Sequence, residues 1–180
     1  AVLRELGVEQ ALAGTWGMVR RAQMLGFQVR GDYGLGVYNS QTMKELKRLG
    51  LIGATVSFEM KFPQIRDISK TLPTEFIAYG RLPLMITENC IIYNHCGRHT
   101  CNNVNLPTDR KGERFPVVKA WGCRNEILNS KKLFLADKQK DWQRLGLWGA
   151  RLMFTTENAL ECAQVLERYM NQGKYQPNDF

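Results

Sequence analysis

Apolar and polar positions alternate with two different periods along the first eighty residues, and this alternation predicts a series of strands and helices. Short apolar runs, rich in β-branched and aromatic residues, predict strands at residues 8–14, 27–33, 54–60 and 74–79. Apolar positions at helical spacing between them predict helices at residues 18–25, 41–49 and 63–71. Pro63 suits the first turn of the third of these helices.

The order of these elements predicts parallel βα units joined by right-handed crossovers, and therefore an α/β fold. A last strand is expected at residues 150–154, and a last helix at 157–170 with Thr155 or Thr156 as its cap. A further helix is expected after Ser130, with apolar positions that begin at Leu133. About five strands are too few for a closed eight-stranded barrel. Either the sheet is open, or the chain is the second half of a barrel.

The alternation of strands and helices stops between residues 87 and 126, where we expect a Cys-rich insert with a strand at 115–120. The length of 180 residues fits one domain, so residues 1–180 are expected to form a single domain around one core. The tail at residues 173–180 is polar, and we expect it to be loose. The chain begins inside a pattern typical of a folded segment, which suggests a fragment of a longer protein.

Four cysteines are grouped around this insert and are candidate metal ligands: Cys90, Cys96, Cys101 and Cys123. Four thiolates satisfy a tetrahedral zinc ion or one iron–sulfur cluster. The two histidines, His95 and His99, flank Cys96 and are possible replacements for one thiolate. The alternative is a set of cysteines without metal. Cys162 lies on the inner stripe of the last helix, where a core thiol is expected.

Charge and cysteine content restrict the partners and the compartment. The formal net charge of +8 favours an anionic partner, such as nucleic acid, phosphate or an acidic peptide, although solvated helix faces are the simpler explanation. No secretory signal is visible and the cysteine count is odd, which favours a reducing cytoplasm. No run of about 18 apolar residues is present, so we expect no membrane span.

Several charged residues follow predicted strands and are candidate site residues. Arg30 and Asp32 end the second strand and Glu59 ends the third, where barrel enzymes bind substrates; a salt bridge among them is the alternative. Arg81 is a candidate catalytic residue that would hold a carboxylate or phosphate, unless it forms a surface ion pair. Glu88 is a candidate general base beside a metal-bound water, or a cap for the cysteine loop.

Known protease patterns are not evident in the sequence. No local Ser–His–Asp set is visible, and no His-Glu-x-x-His helix is present, so a zinc protease of the common kinds is not expected. A cysteine nucleophile beside His95 is a further alternative, but neighbouring residues in a loop rarely have the required geometry.

Three segments resemble the collagenase-like peptidase family U thirty-two. Residues 74–82, with Cys90 ten residues after Gly80, are similar to its signature region, and residues 115–117 and 126–133 are similar to its later segments. The resemblance covers roughly residues 27–170 and is closest to the C-terminal part of long bacterial members. It implies the second half of a TIM-type barrel and a peptidase that acts on peptide or protein.

The same family includes iron–sulfur proteins that support hydroxylation of RNA or ubiquinone precursors, in which four cysteines hold a four-iron cluster. Those relatives carry a cysteine at the position of Pro83, so Cys90 alone matches their cysteine pattern. We therefore expect a peptidase-family protein with iron–sulfur or zinc at its cysteines. An iron–sulfur protein for RNA hydroxylation and a non-catalytic metal clip are the alternatives. In each case we expect association with the missing barrel half or with a second copy.

Overall fold

The structure is a computed structural model that describes residues 2–98 and 105–171. Its strands are β1 (Gln10–Ala13), β2 (Gln28–Gly31), β3 (Gly53–Thr55), β4 (Thr74–Gly80), β5 (Pro83–Thr87), β6 (Val117–Lys119), β7 (Asn125–Leu128), β8 (Leu133–Phe134) and β9 (Gly149–Met153). Its α-helices are α1 (Val2–Glu5), α2 (Trp16–Met24), α3 (Ser40–Arg48), α4 (Phe62–Asp67), α5 (Ile91–Cys96), α6 (Gln139–Trp142) and α7 (Ala159–Met170).

The chain divides into two compact units, which we call the first and the second unit. The first unit comprises residues 1–77 and 137–151, and the second comprises residues 78–136 and 152–180. The strands β4 and β9, which pair with each other, cross the division. The proposed substrate-binding residues Arg30, Asp32 and Glu59 belong to the first unit, and the proposed ligands Cys90, Cys96 and Cys123 belong to the second.

In the first unit, β1, β2, β3 and the beginning of β4 pair side by side, and every pair is parallel. The helices α2, α3 and α4 connect consecutive strands, as parallel pairing requires. In the register, Thr55 of β3 lies opposite Glu75 of β4, and Gly31 of β2 lies opposite Ala54. Asp32, Thr55 and Glu75 therefore lie at one level across three neighbouring strands.

Local sequence explains where the helices of the first unit begin. The side chain of Thr15 accepts a hydrogen bond from the backbone N–H of Met18, and Asn39 accepts one from Thr42, so each caps a helix. The helix α3 then buries Met43 and Leu46 completely. Burial of this one face holds the helix on the sheet.

The second unit contains a separate sheet in which β5, β7 and β6 pair antiparallel in that order. The end of β4 pairs antiparallel with β8. An aromatic cluster of Tyr79, Phe134, Phe154 and Tyr169 packs beside this pair, with ring centroids 5.4–6.4 Å apart. The Tyr169 hydroxyl donates to the Ala78 carbonyl at 2.6 Å, which ties α7 to β4.

The mixed α/β class with parallel βα units is confirmed, and several boundaries differ from the prediction. The strand at 54–60 is shorter than predicted, because the chain turns at residues 57–60. Leu133 lies in β8 rather than in a helix, and α7 begins after Asn158 rather than after Thr155 or Thr156. The tail at 173–180 lies outside the described residues. Within the described part of the chain, no helix is long and apolar enough to cross a membrane.

Candidate functional site

The pairing of β5 with β7 brings together the two segments that carry the predicted cysteine ligands. Thr87 at the end of β5 lies opposite Asn125 at the start of β7. Just beyond this pair, Arg124 Nη2 contacts Glu88 Oε2 at 3.0 Å, and the Ile91 backbone N–H donates to Asn125 Oδ1 at 2.8 Å. The chain on either side of Cys90 is therefore fixed to the chain that follows Cys123.

Cys90 and Cys123 pack against the same apolar cluster. Cys90, Ile92 and Val117 are buried in it, and Cys123 and Ile127 are packed against it. Cys90 caps the helix α5, and its Sγ accepts a hydrogen bond from the backbone N–H of Tyr93 at 3.4 Å. The structure thus brings together two of the predicted ligands that are distant in sequence.

The backbone at Cys123 is strained. Its φ is +67°, and it is the one residue other than glycine with positive φ among the described residues. Left-handed backbone costs a side-chain-bearing residue roughly 1–2 kcal/mol, and such strain is concentrated at functional sites. The preceding Gly122, with φ of +70°, adopts this conformation without that cost. The turn Trp121–Cys123 therefore holds the backbone of Cys123 in a conformation that costs free energy.

Cys96 ends the helix that Cys90 begins, and it is exposed to solvent. It lines a cavity of about 440 Å³, together with Ile91, Ile92, His95, Asn105, Leu106, Pro107 and Val117. The cavity wall is mainly apolar, with the thiol and the imidazole as its reactive groups. Cys162 is half-buried on α7.

The complete four-cysteine set remains a prediction. Cys101 and His99 lie outside the described residues. In the ranges 2–98 and 105–171, no group of three or more His, Cys, Asp or Glu side chains is close enough to hold a metal ion. Three of the predicted ligands, Cys90, Cys96 and Cys123, lie on or beside α5 and the apolar cluster.

The two predicted catalytic residues, Glu88 and Arg81, already form contacts with other residues of the chain. The side chain of Glu88 is 78% exposed and forms the ion pair with Arg124. Arg81 Nη1 donates to the backbone carbonyls of Asn129 and Ser130, and therefore fixes the loop between β7 and β8. A role of either residue in catalysis remains a prediction.

In the first unit, the register of the parallel strands places a charged cluster around Arg151 of β9. Its guanidinium contacts Asp32 Oδ1 at 2.7 Å, Glu75 Oε2 at 2.5 Å and Thr55 Oγ1 at 2.9 Å. Burial disfavours the charged guanidinium, but the hydrogen bonds to Glu75 and Asp32 outweigh it and raise the pKa of Arg151. Asp32 is therefore paired with Arg151.

The other two predicted substrate-binding residues have different surroundings. The Arg30 guanidinium lies 4.1 Å above the ring of Trp148. A Cβ atom at Gly53 would lie 2.6 Å from Arg30 Nη2, so glycine makes room for this arginine. Glu59 is exposed and accepts a hydrogen bond from the Tyr38 hydroxyl. Arg30, Asp32 and Glu59 thus each have a different partner in the structure.

The carboxylate of Glu157 in the second unit is fully buried and has several partners. It accepts hydrogen bonds from the backbone N–H groups of Thr155 and Thr156, and from the Tyr79 hydroxyl at 3.0 Å. Lys132 Nζ lies 3.1 Å from it. Burial alone would raise the pKa of Glu157, but the Thr155 N–H and the Lys132 ammonium outweigh burial and lower it to about 2. The same burial and the Glu157 charge raise the pKa of Tyr79.

Sequence reasoning missed Arg151, Glu75 and Glu157. Arg151 was detectable as a charged residue inside a short apolar strand, since such a charge needs a partner when the strand is buried. Glu75 is likewise a charged residue inside an apolar strand, at the second position of β4. Glu157 was assigned to the first turn of the last helix, where a carboxylate needs no further explanation.

Comparison with known proteins adds little to this description. No protein-family model matches the chain, and no curated protein matches it. Among solved structures, the spore cortex-lytic enzyme SleL of Bacillus megaterium QM B1551 is 13% identical, with a TM-score of 0.27. The match covers 84% of this chain and 51% of that protein, so the chain spans about half its length. At this TM-score the likeness carries no argument about fold or function.

Proposed function

We propose that this protein is a hydrolase of the collagenase-like peptidase type that acts on peptide or protein and binds a metal through cysteines of its second unit. We also propose that its parallel βα units belong to one half of a TIM-type barrel. The observation that carries the metal site is the packing of Cys90 and Cys123 against one apolar cluster. The resemblance of residues 74–82, 115–117 and 126–133 to that family supports the choice of reaction.

The proposed ligands are Cys90, Cys96, Cys123 and Cys101, and four thiolates suit both zinc and an iron–sulfur cluster. In the described ranges Cys90, Cys96 and Cys123 do not form a group close enough to hold a metal ion, and Cys90 begins the helix α5 that Cys96 ends. Bound zinc would polarise a carbonyl or a water molecule, whereas an iron–sulfur cluster would carry electrons. Glu88, which lies next to this region through its contact with Arg124, is the group that would accept a proton from water. Arg30, Asp32 and Glu59 are the proposed substrate-binding residues.

Metal content of protein purified without oxygen tests the proposal. We expect stoichiometric zinc, or iron with labile sulfide, in the unchanged protein and a loss of most of it in Cys123→Ser. Cys162→Ser is the matched control, because Cys162 lies on α7, and it should retain the metal. Absence of metal from the unchanged protein would refute the metal site. If the protein also cleaves gelatin, Glu88→Gln should reduce the rate at least tenfold without changing the metal content.

A second candidate function is supported by the formal net charge of +8. An iron–sulfur protein that supports RNA hydroxylation would use this charge to bind RNA phosphates. It would absorb visible light, contain labile sulfide and bind RNA with an affinity that falls steeply as salt rises. Zinc without peptidase activity or RNA binding would instead favour a structural metal clip that associates with a barrel half or a second copy. In either case, reduced thiols suit a cytoplasmic location.

A further inference from the structure

The strand β5 lies at the edge of the three-stranded sheet of the second unit and exposes apolar side chains. The strand order is β5–β7–β6, so in the described part of the chain β7 is the one strand that pairs with β5. The side chains of Leu84, Met85 and Ile86 are 54%, 57% and 61% exposed. Because successive side chains of a strand point to opposite faces, Met85 and Ile86 leave apolar surface on both faces of β5.

The features that usually protect an edge strand are confined to the beginning of β5. Natural proteins protect such edges with charged side chains, proline or bulges. β5 (Pro83–Thr87) contains no charged residue, and its register against β7 shifts only between Pro83 and Met85. Residues 85–87 pair regularly with β7, so their outer edge suits another strand. An uncovered apolar edge promotes aggregation, and we therefore expect a partner strand to cover it.

We infer that β5 pairs with β5 of a second copy of this chain, in antiparallel orientation about a two-fold axis near Met85. A two-fold axis lets one apolar segment supply both sides of the contact. Arg81 precedes the strand and Glu88 follows it. Antiparallel pairing therefore brings Arg81 of each copy near Glu88 of the partner subunit, whereas parallel pairing would bring like charges together. This dimer contact requires neither the metal nor the reaction proposed above.

The net charge of the chain opposes this association only at long range. Each copy has a formal net charge of +8. At physiological ionic strength, exposed charges separated by more than about 8 Å are largely screened, whereas paired strands lie about 5 Å apart. The contact between the two apolar strands therefore decides whether the dimer forms, and the dimer should become tighter as the salt concentration rises.

Sedimentation equilibrium of the full chain tests this inference. A reducing buffer prevents disulfide links through the exposed Cys96, and in it we expect a reversible equilibrium between monomer and dimer. Met85→Lys removes apolar contact and places like charges close together across the axis, so it should raise the dissociation constant about tenfold. Met24→Lys is the matched control, because Met24 is 70% exposed on α2, and it should leave the dissociation constant unchanged.

A mixture of two charge variants distinguishes a second copy from other partners. Met85→Glu alone should weaken the dimer as Met85→Lys does, but an equal mixture of the two proteins should restore it, because opposite charges then face each other. If circular dichroism shows that either variant is unfolded, the pair Ile86→Lys and Ile86→Glu replaces it, since Ile86 is equally exposed.

Three results would overturn the inference. The first is an unchanged protein that stays monomeric, including one whose β5 instead binds an added peptide of alternating valine and threonine. The second is a dimer that survives Met85→Lys, which would place the contact elsewhere on the molecule. The third is a mixture of the two charge variants that remains monomeric, which would contradict antiparallel pairing near Met85.

Discussion

At the scale of single residues, two charges that are largely removed from solvent, those of Arg151 and Glu157, each have several partners. Arg151 has two carboxylates and a hydroxyl, and Glu157 has two backbone N–H groups, an ammonium and a phenol. A buried charge loses its hydration, and one partner seldom compensates for that loss. The stability of each cluster therefore depends on all of its members.

Replacement of Arg151 by methionine should destabilise the protein. The change leaves the carboxylates of Asp32 and Glu75 close together without their shared cation. We expect a loss of about 3 kcal/mol in the free energy of unfolding, measured by urea denaturation. Arg48→Met is the matched control, because Arg48 is 70% exposed and its ion pair with Glu45 lies on the surface. Equal effects of the two changes would contradict this account of Arg151.

Glu157 should make the stability of the protein depend on pH in the acid range. Its pKa is lowered from 4.5 to about 2, so its contribution is fully present above pH 4.5 and is lost as the pH falls towards 2. A shift of this size corresponds to about 3 kcal/mol. Glu157→Gln should therefore flatten the dependence of the unfolding free energy on pH between about 5 and 2. The exposed Glu88→Gln should leave it steep; a steep dependence that persists in Glu157→Gln would count against the assignment.

The candidate site was only partly predictable from the residues. The cysteines were selected as candidate ligands because few residue types bind metal; the structure packs Cys90 and Cys123 in one apolar cluster, and their role as ligands stays a prediction. The sequence did not indicate which residues would pair with the charged side chains. Asp32 lies 119 positions from Arg151 in sequence, and the pair forms because β9 carries Arg151 to the level of the strand ends. Contacts of this kind depend on register, which local patterns do not reveal.

At the scale of secondary-structure elements, local capping decides where helices begin. Asn158 and Glu161 form a reciprocal pair at the start of α7. Asn158 Oδ1 accepts from Glu161 N–H at 3.0 Å, and Asn158 N–H donates to Glu161 Oε2 at 2.8 Å. This capping box outweighs the threonines that were expected to cap the helix, since it satisfies two backbone N–H groups at once.

Removal of this cap should weaken α7 by a modest amount. In Asn158→Ala the backbone N–H of Glu161 loses its acceptor, and we expect a loss of about 1 kcal/mol in the free energy of unfolding. Glu161→Gln keeps an oxygen for the Asn158 N–H and should cost much less. Thermal unfolding followed by circular dichroism compares the two. An Asn158→Ala protein as stable as the Glu161→Gln protein would show that the box does not fix this helix.

The elements of the first unit were predictable because their patterns are long and regular. The strands β1 to β4 and the helices α2 to α4 occur at the expected places, with boundaries that moved by a few residues. The strands β5 and β8 were not predicted. The strand β8 has two residues, too few for a period, and in β5 the apolar residues Leu84, Met85 and Ile86 are all exposed. Their positions depend on pairing with distant strands rather than on local sequence.

At the scale of the whole molecule, the division into two units separates the proposed metal site from the Arg151 cluster. Cys90, Cys96 and Cys123 belong to the second unit, whereas Asp32, Glu75 and Arg151 belong to the first. A ligand that binds the native state stabilises the part of the structure that holds it. Metal binding should therefore slow amide exchange in the elements of the second unit much more than in those of the first.

Hydrogen–deuterium exchange with and without metal tests this expectation. Because the proposed ligands surround α5 and the strands β5 to β7, backbone amides in those elements should exchange at least tenfold more slowly in the metal-loaded protein. Amides of β2 and β3, which carry the Arg151 partners, should exchange at nearly the same rate in both forms. Cys123→Ser should abolish the difference, and Cys162→Ser should preserve it. Equal protection of both units, or protection confined to β2 and β3, would mean that the bound metal does not sit at the cysteines.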